Sequence, residues 1–229
     1  MNTIPDHPLR PGDTAPSFQL PAVNRDGVVS LEDYRGKSPV MVGLFKGLHC
    51  PFCRRHLARL AIAKDKLAEE GIATVAIVNT QLERARQYFR YRPMRLELAT
   101  DPEVRTHRAF GVSEVVILPD SVDPQELQWP KTATMAQVMA LSINPTGELP
   151  QKMSLMAASE FLNRQDGYEM TEVDQQTFAA HGTQFNSQFL IDANGVICWS
   201  YVEARGGPDE LCRMPGEDEM IAAAKAVRR

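Results

Sequence analysis

The chain has 229 residues, of which 43% are hydrophobic and 24% are charged, and these proportions are those of a globular protein. Its formal net charge of −4 gives no electrostatic reason to expect a nucleic-acid partner. The sequence has no apolar run of about 18 residues, the length that predicts a transmembrane helix, and no secretory signal at its start. These features predict a cytoplasmic protein without a membrane partner.

A parallel βαβ unit is predicted in the first half of the chain. Continuous apolar runs at 40–45 (VMVGLF) and 72–78 (IATVAIV) are typical of strands that are buried on both faces of a sheet. Between them, residues 54–70 carry an apolar stripe at helical spacing, and Gly71 is expected to end the helix. A right-handed crossover would place both strands in one parallel sheet.

The motif Cys50-Pro51-Phe52-Cys53 lies between the first of these strands and the helix. The partial positive charge of a helix N-terminus lowers the pKa of a thiol, and Pro51 suits the first helical position. Cys50 is therefore the predicted nucleophile. Cys53 lies one turn into the helix and is the predicted resolving thiol, which closes a disulfide with Cys50.

The cysteine content favours redox chemistry over a structural role. Four cysteines are too few for a disulfide scaffold, and a Cys-x-x-Cys motif in a reducing compartment is more often catalytic. A structural zinc site is the alternative, but Cys198 and Cys212 are 14 positions apart and do not form the second pair that zinc needs. We interpret Cys198 as a packed small hydrophobic residue and Cys212, in a polar loop, as a candidate auxiliary thiol.

Charged and polar side chains near the motif are candidates for stabilising the thiolate or the substrate. His49 could donate to the thiolate or act as an acid for the leaving group, with an uninvolved loop side chain as the alternative. Arg54 or Arg55 could lower the thiol pKa or bind the substrate. Adjacent helical side chains point about 100° apart, so at most one of the two arginines is expected to face the site. Lys46 has a weaker case.

Three shorter elements follow. Residues 80–83 (TQLE) match a capping box and predict a helix that runs to about Tyr91. Residues 96–99 are predicted to be a short strand. Asp101 and Pro102 are predicted to cap a further short helix that ends near Gly111.

Residues 113–184 interrupt this alternation and are predicted to be a helical insertion. Its first part, 118–130, reads as a loop, and helices are predicted near 132–141 and 153–163. Five of the ten methionines lie in this segment, at Met135, Met139, Met153, Met156 and Met170. A Met-rich helical surface can line an adaptable apolar pocket or form a subunit contact, such as that of a homodimer, whereas ordinary core packing is the alternative.

The last part of the chain predicts a β-hairpin and a helix. Apolar runs at 188–191 and 196–202 flank the turn sequence DANG at 192–195, in which Asn-Gly is a strong hairpin signal. The final helix is predicted at about 217–227, with basic residues in its last turn.

Several short segments carry a further pattern when they are taken together. They are PGDTAPSFQL at 11–20, DG at 26–27, SLEDYRGK at 30–37, FKGLHCPFC at 45–53, FLID at 189–192 and NG at 194–195. In this order, the chain resembles the alkyl hydroperoxide reductase/thiol-specific antioxidant (peroxiredoxin-like) family, in its branch with a thioredoxin-type Cys-x-x-Cys. The resemblance covers about residues 10–112 and 185–202.

The resemblance implies the fold and the activity. The expected fold is an α/β thioredoxin fold of the peroxiredoxin-like kind, in which helices flank a central mixed sheet. We expect a single thioredoxin-like domain over 1–229, with the helical insertion at 113–184 within it. The implied function is a thiol-dependent peroxidase that reduces hydrogen peroxide or organic hydroperoxides through Cys50, with Cys53 resolving. A thioredoxin- or glutathione-type system would supply the electrons, and no cofactor is expected.

The chain also departs from the family at the site. The family places a threonine three residues before the nucleophilic cysteine and a proline seven residues before it, where this chain has Gly47 and Gly43. The family also has an arginine three residues before the phenylalanine of the late strand, where this chain has Asn186. Asn186 could still hydrogen-bond a substrate or the thiolate.

These departures leave two other functions open. A thiol–disulfide oxidoreductase would use the same two cysteines on a disulfide substrate, although the cis-proline of such exchange enzymes is also absent at Asn186. A redox sensor or partner-binding module would dock a partner through the inserted helices according to the state of the disulfide.

Overall fold

A computed structural model describes residues 5–112 and 114–227. Eleven strands are defined among these residues, at β1 Gln19–Pro21, β2 Val28–Ser30, β3 Val40–Phe45, β4 Ala73–Val78, β5 Glu97–Thr100, β6 Val116–Leu118, β7 Thr132–Thr134, β8 Ser142–Ile143, β9 Met153–Ser154, β10 Ser187–Ile191 and β11 Ile197–Val202. Seven α-helices are defined there too, at α1 Pro51–Glu69, α2 Leu82–Tyr91, α3 Arg105–Ala109, α4 Met135–Ala140, α5 Leu155–Asp166, α6 Glu172–His181 and α7 Glu217–Val227.

The central sheet has five strands in the order β11-β10-β3-β4-β5. Strands β3, β4 and β5 are parallel, whereas β10 is antiparallel both to β3 and to β11. Every residue of β3 and β10 is buried, as a strand covered on both faces must be. The predicted mixed sheet, the parallel βαβ unit and the late hairpin are all confirmed.

Helix α1 follows β3 after a short loop and begins at Pro51, three residues earlier than the apolar stripe predicts. The stripe starts late because the first turn holds the two cysteines of the motif. At the other end, Gly71 adopts a φ of +77°, a conformation that favours glycine and ends the helix as predicted. Helix α1 packs against both α7 and α5, so the central helix is enclosed by the late helix and by the segment after residue 113.

Two predicted helix caps are wrong in detail. Thr80 does not cap α2, since Gln81 occupies the cap position without a side-chain bond and the Thr80 hydroxyl accepts a hydrogen bond from the Leu48 backbone N–H at 3.1 Å instead. Helix α3 begins at Arg105, not beside Pro102, and the Asp101 carboxylate accepts from the Thr106 N–H at 2.6 Å. In both cases, the polar side chain is used in a different backbone contact from the one that its spacing suggests.

The segment 113–184 contains short strands as well as helices. The predicted loop includes a 3₁₀ turn at Pro124–Glu126, and α4 and α5 lie where helices are predicted. Helix α6 was not predicted, although Thr171 and Asp174 form a capping box at its start. The domain limits remain a prediction, and Ser113, the first residue of the predicted insertion, lies outside the described residues. Within the described ranges, no helix is both long and apolar enough to cross a membrane.

Candidate active site

Cys50 is the N-cap residue of α1, as the motif predicts. It has an extended backbone, and its Sγ accepts a hydrogen bond from the Cys53 backbone N–H at 3.4 Å. The side chain is mostly buried, with 9% of the residue exposed, and it lies in the wall of a cavity. Cys50 is therefore sheltered from bulk water but accessible to a small molecule that enters this cavity.

The pKa of Cys50 is lowered from 9.0 to about 7. The largest cause is hydrogen bonding from the Cys53 thiol, which outweighs the opposing effect of burial; the Lys46 ammonium and the Cys53 backbone N–H lower the pKa further. A thiol with a pKa of 9 is ionised in about one molecule in a hundred at pH 7, whereas one with a pKa of 7 is ionised in about half. The site thus favours the thiolate, which is the nucleophilic form.

Cys53 has the opposite character. It is completely buried, and burial raises its pKa well above 9.0, with further increases from the neighbouring Cys50 and Glu203. Its Sγ lies 3.1 Å from the Asn186 Oδ1, to which it donates, and the two thiols of the motif are not bonded to each other. The pair therefore consists of one thiol that ionises readily and one that retains its proton, as the predicted roles require.

Lys46 is the cation of the site. Burial alone would lower the pKa of this lysine, but the Glu203 carboxylate raises it, and the Lys46 Nζ lies 3.1 Å from the Glu203 Oε1. From the sequence alone, Lys46 is a weaker candidate than the arginines. Lys46 directly follows β3, at the C-terminal end of this strand, and α1 with its two thiols begins a few residues later. The charge of Lys46 therefore lies close to the thiols.

His49 lines the same cavity as Cys50, but it is neutral at pH 7. Burial lowers its pKa to about 4, although Asp174 opposes this. Its ring packs edge-on against Phe178 with centroids 5.6 Å apart, and no group in the described part of the chain hydrogen-bonds its buried Nδ1. An imidazole in this state can donate a hydrogen bond to a substrate, but it does not supply a proton as an imidazolium ion.

The two arginines after the motif bind a carboxylate and are not among the residues that line the cavity beside Cys50. Arg54 and Arg55 both bind Asp166, at 2.6 Å and 2.9 Å, so the expected divergence of their side chains is overcome by a shared carboxylate. Arg54 also donates to the Leu48 carbonyl at 2.8 Å and stacks on Tyr168. These contacts clamp α5 to the start of α1 and stabilise the loop that precedes Cys50.

Asn186 lies at the second thiol of the motif, because its Oδ1 accepts the hydrogen bond from the Cys53 Sγ. Cys212, which the sequence places in a polar loop, is nearly fully buried. It lines the cavity together with Cys50, and burial raises its pKa well above 9.0. Cys198 is partly exposed on β11 and lies away from this cavity.

Gly47 shows why the family threonine is absent from this loop. Its φ is +127°, and a Cβ at this position would lie 2.3 Å from the Asn79 carbonyl oxygen. Any side chain at residue 47 would therefore collide with the backbone that follows β4. The hydroxyl that the family uses for the peroxide has no room here.

The cavity beside Cys50 has a volume of about 650 Å³. Its polar groups include Lys46 and His49, close to Cys50. Most of its other residues come from the segment 113–184, and those that are apolar are Leu155, Met156, Ala157, Met170 and Phe178. Two of the five inserted methionines therefore line a pocket, as one of the sequence interpretations holds.

The structure also brings in residues that sequence reasoning missed. Glu203 and Asp166 are acidic residues far from the motif in sequence, and no local pattern marks them. Thr80 is predicted to cap a helix, whereas its hydroxyl in fact accepts a hydrogen bond from the Leu48 N–H in the loop before Cys50. Among the described residues, no group of three or more His, Cys, Asp or Glu side chains could hold a metal ion.

We predict that the alkylation rate of Cys50 by iodoacetamide rises with a midpoint near pH 7. Lys46→Met is expected to move this midpoint upwards, because it removes a cation that lowers the pKa of Cys50. Lys66→Met removes an exposed lysine of α1 and serves as the matched control. A midpoint near pH 9 in the unmodified protein, or equal midpoints in the two variants, would contradict the prediction.

Comparison with known proteins supports the resemblance seen in the sequence. The model of the AhpC/TSA family matches residues 11–200 of this chain. The peroxiredoxin Bcp of Escherichia coli (strain K12) is 28% identical over 107 residues, which span 46% of this chain and 67% of that protein.

Solved structures share the fold at low sequence identity. Peroxidoxin BcpB from Mycobacterium tuberculosis superposes with a TM-score of 0.56 at 14% identity, covering 96% of this chain and 99% of the other. The reduced 2-Cys peroxiredoxin of Plasmodium vivax gives 0.58 at 15% identity, with 96% and 83% covered. A putative thiol:disulfide interchange protein DsbE from Chlorobium tepidum gives 0.50 at 19% identity, with 94% and 99% covered. These likenesses establish the thioredoxin fold of the peroxiredoxin-like kind.

Proposed function

The chain belongs to the AhpC/TSA family and is a thiol-dependent peroxidase of the peroxiredoxin kind, and on this premise we propose that Cys50 and Cys53 carry its catalytic cycle. The observation that carries the proposal is the contrast between the two thiols. Cys50 has a lowered pKa and lines a cavity, whereas Cys53 is enclosed and has a raised pKa.

The cycle has three steps. The Cys50 thiolate attacks the terminal oxygen of a hydroperoxide, the O–O bond breaks, and Cys50 becomes a sulfenic acid while the peroxide leaves as an alcohol or water after protonation. The Cys53 thiol then attacks the sulfenic sulfur, which forms the Cys50–Cys53 disulfide and releases water. An external dithiol returns two electrons and two protons by thiol–disulfide exchange.

Two side chains take the place of the missing family residues in this proposal. The Lys46 ammonium stabilises negative charge at the thiols, and it is one of the groups that lower the Cys50 pKa. The neutral His49 lies in the cavity wall and can donate a hydrogen bond to the peroxide. The arginines at 54 and 55 hold the loop in position and do not contact the peroxide, since Asp166 engages both.

The cavity supports an apolar organic hydroperoxide as the preferred substrate. Hydrogen peroxide would leave most of a space of about 650 Å³ unfilled, whereas an alkyl or aryl group would contact Leu155, Met156 and Phe178. Burying such a group contributes roughly 25 cal/mol for each Å² of apolar surface removed from water. Methionine side chains adapt to different shapes, so the pocket suits a class of hydroperoxides more than one compound.

The reductant is proposed to be a thioredoxin- or glutathione-type system in a reducing compartment such as the cytoplasm. Because Cys53 is completely buried and Cys50 is 9% exposed, the reductant's thiolate would attack the Cys50 sulfur of the disulfide. Direct thiol–disulfide exchange is the second candidate function, since the Cys-x-x-Cys pair at a helix N-terminus would also serve a disulfide substrate.

Stopped-flow oxidation tests the proposal. Mixing the reduced protein with cumene hydroperoxide is expected to oxidise Cys50 at least about tenfold faster than hydrogen peroxide does, because the aryl group is buried in the cavity. Met156→Glu should remove this preference by placing a charge in the cavity wall, whereas Met139→Glu, at a methionine that is also exposed but lies outside the cavity, should keep it.

The possible outcomes separate the two candidate functions. Oxidation of Cys50 by both peroxides no faster than that of a free low-molecular-weight thiol would overturn the peroxidase cycle. Rapid reduction of insulin or glutathione disulfide by the same preparation would then favour exchange. Fast oxidation without a preference would retain the peroxidase function and overturn only the proposed substrate class.

A further inference from the structure

Glu203 is a fully buried carboxylate beside the two thiols, and it has more donors around it than a simple ion pair needs. Its Oε1 lies 3.1 Å from the Lys46 Nζ and accepts from the Cys212 backbone N–H. Its Oε2 lies 2.8 Å from both the backbone nitrogen and the side-chain Nδ2 of Asn186. A buried charge is stable only when hydrogen bonds satisfy its oxygens, and here both oxygens have two donors.

The Asn186 amide can adopt only one of its two orientations in this environment. Its Oδ1 faces two groups that donate, the Lys46 backbone N–H at 2.9 Å and the Cys53 thiol at 3.1 Å. Its Nδ2 faces the Glu203 carboxylate, which can only accept. Rotating the amide by 180° would set Nδ2 against the Lys46 N–H and Oδ1 against the carboxylate, so the network itself fixes the orientation.

We propose that Glu203 is a positioning residue for the thiol pair, which holds the Asn186 amide with its oxygen towards the Cys53 sulfur and so retains the proton on Cys53. This inference rests on the roles proposed above for the two cysteines. An oxygen acceptor beside the sulfur suits a protonated thiol and repels a thiolate. The single Cys53 proton then has two acceptors, the Asn186 Oδ1 and the Cys50 sulfur, and Cys50 is the thiol that ionises first.

The charged groups around Cys53 act in opposing directions. Its neighbours are Cys50 on the first turn of α1, Lys46 after β3 and Glu203 after β11, and of these only Lys46 favours the thiolate. Replacing Glu203 by glutamine removes a negative charge and also weakens the acceptor that holds the Asn186 Nδ2, so the Asn186 oxygen is held less firmly against the sulfur. Both changes favour the Cys53 thiolate, so both shift its ionisation to lower pH.

The test follows Cys53 alone by its ¹³Cβ chemical shift in a Cys50→Ser background, where no second thiol of the motif titrates with it. Glu203→Gln is expected to lower the pKa of Cys53 by about one unit or more. Asp101→Asn is the matched control, because it also neutralises a buried, hydrogen-bonded carboxylate but lies in a different contact, with Thr106. The control variant is expected to be less stable, but its Cys53 pKa is expected to be unchanged.

A second variant keeps the test decisive if Glu203→Gln does not fold. Asn186→Ala removes the oriented oxygen and leaves the Lys46–Glu203 pair in place, and it is expected to lower the Cys53 pKa as well. An unchanged or raised Cys53 pKa in either folded variant would overturn the proposal and leave Glu203 a purely structural residue. The titration needs no peroxide, so its result is independent of whether the peroxidase cycle operates.

Discussion

A Cys50→Ser variant is expected to consume peroxide at least about a thousandfold more slowly than the unmodified protein. The serine hydroxyl is not ionised near neutral pH, so the attacking anion is lost while the size of the side chain is nearly unchanged. No other cysteine has both a lowered pKa and access to the cavity, because Cys53 and Cys212 have raised pKa values and Cys198 lies outside it. The measurement is peroxide consumption with a coupled dithiol reductant.

Cys53→Ser separates the attacking thiol from the resolving thiol. The serine hydroxyl can still donate a hydrogen bond to Cys50, so the first oxidation should stay within about tenfold of its normal rate. Turnover with a dithiol reductant should fall, and a sulfenic acid that dimedone traps should accumulate on Cys50. Cys198→Ser is the control and should change neither quantity, since Cys198 lies outside the cavity.

Two results would contradict this division of roles. Full turnover by Cys50→Ser would remove Cys50 from the chemistry altogether. Full turnover by Cys53→Ser, with a disulfide between Cys50 and another cysteine, would transfer the resolving role to a different thiol. Cys212 would be the first to examine in that case, because it lines the same cavity as Cys50.

The sequence predicts the sheet and the thiol pair well because both depend on local patterns. The apolar runs of β3 and β4 have the length and composition typical of buried strands, and the cysteine spacing places Cys50 and Cys53 one turn apart at the start of α1. The start of α1 is less well predicted, since its first turn is occupied by the motif and does not carry the apolar stripe.

The environment of the thiols could not be predicted in the same way. Lys46 and Glu203 are 157 positions apart in sequence, and the register between β3, β10 and β11 brings them together. Likewise, no local pattern shows that Asp166 engages both Arg54 and Arg55, because that contact depends on how α5 packs on α1. Long-range pairing of charges is decided by tertiary structure, so helical spacing can limit how many of the arginines face the site but cannot identify the carboxylate that they bind.

Gly47 is the residue at which the departure from the family pattern has a structural cause. We expect Gly47→Ala to lower the free energy of unfolding by about 2–6 kcal/mol, since the left-handed φ costs roughly 1–3 kcal/mol and the forced contact a similar amount. The contact is with the Asn79 carbonyl oxygen, 2.3 Å from the position of the new Cβ. Gly47→Thr, which introduces the family residue, should be at least as destabilising.

Gly147→Ala provides the matched control for this prediction. Gly147 has a φ of +74°, but a Cβ there would meet no atom within 4 Å, so only the backbone cost applies. Urea unfolding should therefore show a larger loss of stability for Gly47→Ala than for Gly147→Ala, and the difference reports the collision with Asn79.

Equal losses of stability would mean that the loop before Cys50 can shift without a cost in free energy, in which case a threonine could enter it. Gly47→Thr would then be expected to oxidise faster with hydrogen peroxide, whereas a rigid loop predicts a less stable protein with no gain in rate.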